Sequence, residues 1–86
     1  MAQVFFGRRI DSIGGKRMKF AERLKDERKR KRYNQTYIAK YMKVSQVSVS
    51  NWERGVKEPN FQALIDLANL FGVSTDYLLG IKDTKD

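Results

Sequence analysis

The chain is punctuated for short helices. Asn34, Ser45 and Ser74 stand where a short polar side chain accepts a hydrogen bond from the free backbone N–H groups of an opening helix. Gly55, Gly72 and Gly80 stand where a helix leaves through left-handed backbone. Between these marks, apolar residues recur at three- and four-residue spacing, which predicts five helices. The first covers residues 19–31, with Phe20, Leu24 and Arg28 stacked on one face. The second is Gln35–Met42, capped by Asn34, with Ile38, Ala39 and Met42 inward. The third covers residues 46–54 and ends at Gly55. The fourth opens at Glu58-Pro59-Asn60 and closes at Gly72, with Phe61, Leu64, Ile65, Ala68 and Phe71 as the most regular apolar stripe. The last is Thr75–Leu79, between Ser74 and Gly80. A two-residue alternation occurs only in Val47-Ser48-Val49-Ser50, which lies between a cap and a glycine stop. The expected fold class is all-α.

Eighty-six residues, 41% of them hydrophobic, suffice for one domain with a modest core. The chain contains neither cysteine nor histidine. Disulfides and thiolate metal sites are thereby excluded, and the commonest general base and the commonest metal ligand are missing. Hence no catalytic residue, metal or cofactor is expected. No apolar run is long enough to span a membrane, and the first residues lack a signal-peptide stretch, so the expectation is a cytoplasmic protein.

Charge divides the chain unevenly. Residues 1–32 hold twelve of the eighteen Lys and Arg against four acids, whereas the remainder carries six of each. A neutral globular part joined to a strongly basic part points to an anionic partner, nucleic acid or membrane surface. Residues 1–17 read as separate from the core. Gly7, Gly14 and Gly15 interrupt their apolar pattern, and Gly-Gly-Lys-Arg ahead of Met18 reads as a translated ribosome-binding sequence. The expected organisation is a flexible basic arm or upstream extension over 1–17, a core over 18–80 and a short tail over 81–86.

The most specific pattern is two short helices joined by the three-residue turn Lys43–Val44–Ser45, with Ala39 in the middle of the first. Such helices cross closely only over a small side chain, which Ala39 supplies. Ile38, Met42, Val44, Val49 and Trp52 then form the wedge between them. With "WERG", "EP" and "LIDLANLFGVSTDYLLG", this pattern resembles the lambda-repressor-like, Cro or Xre-type helix-turn-helix regulators of phages and bacteria, from Phe20 to Gly80. One departure is Lys43. Its position is most often Gly in that family because the turn is left-handed there, and a non-Gly residue costs on the order of 1 kcal/mol.

The resemblance implies a function for the polar face of the third helix, which is rich in short hydroxyl and amide side chains rather than Lys and Glu. The matching helix lies in the DNA major groove, where short side chains permit close approach. Gln46 is the first candidate for base readout, since its amide matches N6 and N7 of adenine, and Val47 is placed to touch a thymine methyl. Ser50 and Asn51 lie one turn further along. Gln35, at the start of the second helix, is implied to meet a phosphate, with Asn34, Thr36, Tyr37, Ser48, Arg54 and Lys57 as further backbone contacts. Lys40 and Lys43 add attraction at longer range.

Arg28 continues the inward stripe of Phe20 and Leu24, and an inward Arg needs an anion. Glu53, beside Trp52, is the only acid of the third helix, and the family joins the matching pair. An Arg28–Glu53 ion pair is therefore expected. The reading is a sequence-specific double-stranded DNA-binding transcriptional regulator, a repressor occupying a two-fold symmetric operator as a homodimer. The surface assigned to the dimer is the last helix with the Tyr77-Leu78-Leu79 region, of which Leu78 belongs rather to the core. The alternatives are an antitoxin-type subunit whose arm Val4-Phe5-Phe6 docks on a protein partner, and RNA or membrane binding through the basic half.

Overall fold

The computed structural model describes the backbone of residues 8–86 and the side chains of residues 19–86. Five helices follow one another: α1 Arg8–Arg30, α2 Gln35–Met42, α3 Gln46–Glu53, α4 Phe61–Phe71 and α5 Thr75–Leu79. Among the described residues there is no strand. None of the helices is long and apolar enough to cross a membrane.

Local hydrogen bonding explains where the helices start. Asn34, Ser45, Asn60 and Ser74 all have extended backbone, and each side chain accepts from the N–H three residues on. Loss of such a cap costs about 1 kcal/mol.

All five helix ends close in one way. A residue one or two positions past the helix takes positive φ, and its N–H and the next bond back to two carbonyls of the last turn. Lys43 N–H meets the Lys40 carbonyl at 3.3 Å and Val44 N–H the Ala39 carbonyl at 3.0 Å. The same pair recurs at Arg32–Tyr33, Gly55–Val56, Gly72–Val73 and Gly80–Ile81. Lys43, at φ 59°, is left-handed as its place in the turn demanded, and Arg32, at φ 62°, is the second non-glycine residue in that region. At Gly80 a glycine is needed twice over: φ is 84°, and a Cβ would lie 2.9 Å from that of Lys19.

Phe20, Leu24, Ile38, Ala39, Val49, Trp52, Leu67, Ala68, Phe71 and Leu78 form the core. Met42 and Val44 pack against it, completing the wedge between α2 and α3. α1 lies across α3 and α5, while α4 touches α2 and α5. Burying each of the large aliphatic side chains contributes roughly 1.5–3 kcal/mol.

Three expectations need correction. α1 starts at Arg8 rather than near residue 19; residues 1–7, with Val4-Phe5-Phe6, lie outside the described residues. Gly14 and Gly15 each cost a helix roughly 1 kcal/mol, but a helix already nucleated downstream extends without a new nucleus. α3 ends at Glu53, and Arg54 is its C-cap. In α4 the inward stripe is Leu67, Ala68 and Phe71; Phe61 is 86% exposed and Ile65 45%. Apolar residues occupy so many positions of α4 that periodicity admits two inward directions, and packing against α2 and α5 selects one.

Candidate nucleic-acid interface

The exposed side of α3 begins at Gln46. Val49 and Trp52 turn into the core, which sends Gln46 and Val47 outward; Val47 is 61% exposed and is no core residue. Ser50 and Asn51 are half-buried one turn on. The Ser45 hydroxyl holds the start of the helix by accepting from Ser48 N–H at 3.1 Å, and the two hydroxyls lie 3.0 Å apart. Ser48 is therefore engaged in the cap of its own helix.

Behind this surface runs a connected set of polar side chains. Arg28 of α1 donates from Nε to Glu53 Oε2 at 2.5 Å and from Nη2 to Oε1 at 3.1 Å, a two-pronged ion pair. The side chains are 14% and 4% exposed, so the pair is buried. Arg28 Nη1 also donates to the Tyr33 carbonyl at 3.1 Å, which fixes the turn between α1 and α2. Glu53 Oε1 accepts a third bond, from Gln35 Nε2 at 3.0 Å. Gln35 Oε1 in turn accepts from Gln46 Nε2. Thus α1, α3 and α2 are tied in sequence to the first side chain on the exposed side of α3.

This arrangement has a chemical consequence. One Nε2–H of Gln46 and the Gln35 oxygen are used on each other, leaving Gln46 its Oε1 and a second N–H. That acceptor and donor pair matches the N6 amino group and N7 of adenine. At the far end of α3, Asn51 Oδ1 accepts from Arg54 Nη2, so Asn51 retains its N–H groups as donors. The Asn51 backbone carbonyl accepts from Val56 and Lys57 N–H at 3.0 and 3.4 Å, which tucks the chain back after Gly55.

The expected phosphate-facing residues are less tightly gathered. Asn34 Oδ1 is occupied by Tyr37 N–H at 2.7 Å. Thr36 and Tyr37 are exposed on α2, with the Tyr37 ring 4.4 Å from that of Tyr33. Arg54 and Lys57 are exposed beyond α3. Leu78 is fully buried, while Tyr77 and Leu79 are half-buried and the Arg23 guanidinium lies over the Tyr77 ring, 4.2 Å from its centroid. Among the described residues the large exposed apolar side chains are Tyr37, Tyr41, Val47, Val56, Phe61, Ile65 and Ile81, with Phe61 and Ile65 about one turn apart on α4.

One charged centre lies outside the sequence reading. Glu27 is only 2% exposed, yet it sits at core depth on α1. Arg30 Nη2 lies 2.5 Å from Oε1, and Lys85 Nζ from the tail lies 3.0 Å from Oε2. Burial by itself would raise the carboxyl pKa; the hydrogen bonds and charges of Arg30 and Lys85 outweigh it and hold the group below its ordinary value. The signal was spacing: Glu27 follows Leu24 by three and precedes Arg30 by three.

The tail is also fastened by Arg23, whose Nη1 donates to the Tyr77 and Lys82 carbonyls, each at 2.6 Å. Ser74 N–H donates to the Lys85 carbonyl at 2.7 Å.

Residues 24–78 match the helix-turn-helix family HTH_3. The chain is 40% identical over 63 residues to the HTH-type transcriptional regulator ImmR of Bacillus subtilis (strain 168), covering 73% of this chain and 50% of ImmR. It is 40% identical over 58 residues to repressor protein C2 of Salmonella phage P22, covering 67% of this chain and 27% of the repressor. The chain thus spans half the length of ImmR or less of these relatives. The crystal structure of the P22 c2 repressor with synthetic operator 9T superposes with a TM-score of 0.66 at 37% identity, covering 69% of this chain and 89% of that one. A wedge of two short helices over Ala39, a buried Arg28–Glu53 pair and these matches place the chain in the HTH_3 helix-turn-helix family, with the lambda-repressor-like, Xre-type transcriptional regulators.

Proposed function

We propose that this protein is a sequence-specific double-stranded DNA-binding transcriptional regulator, acting in the cytoplasm as a repressor by occupying an operator. The observation that carries the reading is Gln46, exposed at the start of α3 with its amide oriented by Gln35 and backed by the buried Arg28–Glu53 pair. A preset amide gives up little side-chain freedom when it meets a base edge. Val47, Ser50 and Asn51 complete the reading surface. Gln35, Asn34, Thr36, Tyr37, Ser48, Arg54 and Lys57 face the sugar–phosphate backbone and set the register. The likeness to a repressor whose structure holds a synthetic operator supports this reading.

Two copies bind a two-fold symmetric site, with reading helices roughly 34 Å apart on successive turns of one DNA face. Phe61 and Ile65 are the apolar surface for this pairing. They begin α4 just beyond the connection from α3, so contact there sets the spacing of the two reading helices.

The test is selection of bound duplexes from a random pool, repeated with Gln46→Ala. The variant is expected to lose about 1–3 kcal/mol at the selected site and to relax one base-pair position. An unchanged selected motif would remove Gln46 from the reading role. Binding indifferent to both Gln46 and Asn51 would favour a purely electrostatic partner.

A further inference from the structure

Of the five helix ends closed by a positive-φ residue, three use Gly55, Gly72 and Gly80, and two use Arg32 and Lys43. A side chain at such φ strains the backbone, and strain of this kind persists where something else requires the residue. Both exceptions are basic. Both also open the same four-residue arrangement, Arg32-Tyr33-Asn34-Gln35 and Lys43-Val44-Ser45-Gln46. In each, the second residue packs against the core, the third caps the next helix, and the fourth is a glutamine. The two glutamines are hydrogen-bonded to each other, so the fold brings both turns to one place beside the reading surface.

Arg32 and Lys43 are exposed, and among the described residues no carboxylate or carbonyl takes up either cation. A charge serving only solubility is served equally well at any unstrained surface position. Strain borne twice, at equivalent places, by unpaired cations flanking the glutamine pair calls for an anion outside the protein. Resting on the DNA-binding reading above, we infer that Arg32 and Lys43 are additional DNA-phosphate contacts, one beside the start of α2 and one beside the start of α3. Their long side chains extend the phosphate footprint on either side of the one facing Gln35. The backbone strain at both turns is tolerated for that gain.

The inference makes stability and affinity move in opposite directions. Arg32→Gly and Lys43→Gly are expected each to raise the melting temperature, by roughly 4–8 °C for relief of the strained turn. On a random-sequence duplex each is expected to weaken binding several-fold at low salt. Each should also reduce the slope of log K against log salt by about 0.9, the loss of one phosphate contact. Arg32→Lys and Lys43→Arg keep the charge and should leave slope and melting temperature near those of the parent chain. An unchanged slope in both glycine variants, or a melting temperature that falls in both, overturns the inference. Gln46→Ala on the selected duplex separates it from its premise. If that variant loses base preference while the glycine variants keep the parental slope, DNA recognition stands and the two extra contacts fall. A parent chain showing no salt-dependent DNA binding sinks both.

Discussion

Two buried carboxylates, Glu27 on α1 and Glu53 on α3, show how the same group can be held for different ends. Glu53 is matched by Arg28, itself 14% exposed, and by Gln35. Its partners come from two other helices, so the pair fixes how α1, α2 and α3 meet. Glu27 is as deeply buried, at 3% of its side chain, but its partners Arg30 and Lys85 are 49% and 46% exposed. One comes from its own helix and the other from the tail. A pair desolvated on both sides is costly to break, because the survivor is stranded in low dielectric. A buried anion with half-solvated cations is more forgiving, since those cations return to water.

The comparison breaks most visibly at Glu53. Glu53→Gln is expected to destabilise folding by about 3–5 kcal/mol in chemical denaturation, because Arg28 is left buried without its counter-charge. A loss under about 1 kcal/mol would make the two sites energetically alike. Glu27→Gln is expected to cost only about 1 kcal/mol, its hydrogen bonds being weakened rather than a buried cation stranded.

Glu27 also sharpens the contrast through pH. Its folded pKa lies below the ordinary value for a Glu carboxyl, so its contribution is fully present above that ordinary value. As pH falls through the lowered folded pKa the contribution is lost, because protonation removes the charge that Arg30 and Lys85 hold. Denaturation between pH 6 and pH 3, as rough bounds about that value, should show a smaller acid loss in Glu27→Gln than in the parent chain. An identical acid profile would assign that sensitivity to other carboxylates. The smallest effect is expected from Lys85→Ala, about 0.2–1 kcal/mol, since Lys85 is half-solvated and Arg30 still faces Glu27. A Lys85 effect equal to that of Glu53→Gln would make the tail an integral part of the core.

The two sites were unequally legible. Arg28 and Glu53 could be paired from the inward stripe of α1 and the single acid beside Trp52, helped by the family resemblance. Glu27 could be set facing inward by its spacing from Leu24, but nothing local indicates that Lys85 lies against it. The same limit governs the interface. That Gln46 begins an exposed polar helix follows from cap and spacing; that its amide is held by Gln35 requires knowing how α2 crosses α3.

What the sequence by itself determined is whatever acts within one helical turn: Asn34, Ser45 and Ser74 as caps, Gly55, Gly72 and Gly80 as stops, and the left-handed turn at Lys43. Each is decided by hydrogen bonds and sterics among residues three or four apart, so neighbours in the chain suffice. Only the tertiary structure decided the inward direction of α4, the continuation of α1 back to Arg8, the tail laid over Glu27 and Tyr77, and the Gln35–Gln46 contact. These depend on which surfaces meet, and apolar burial is non-directional. It permits several facings of a helix, and the packing of the whole core selects one.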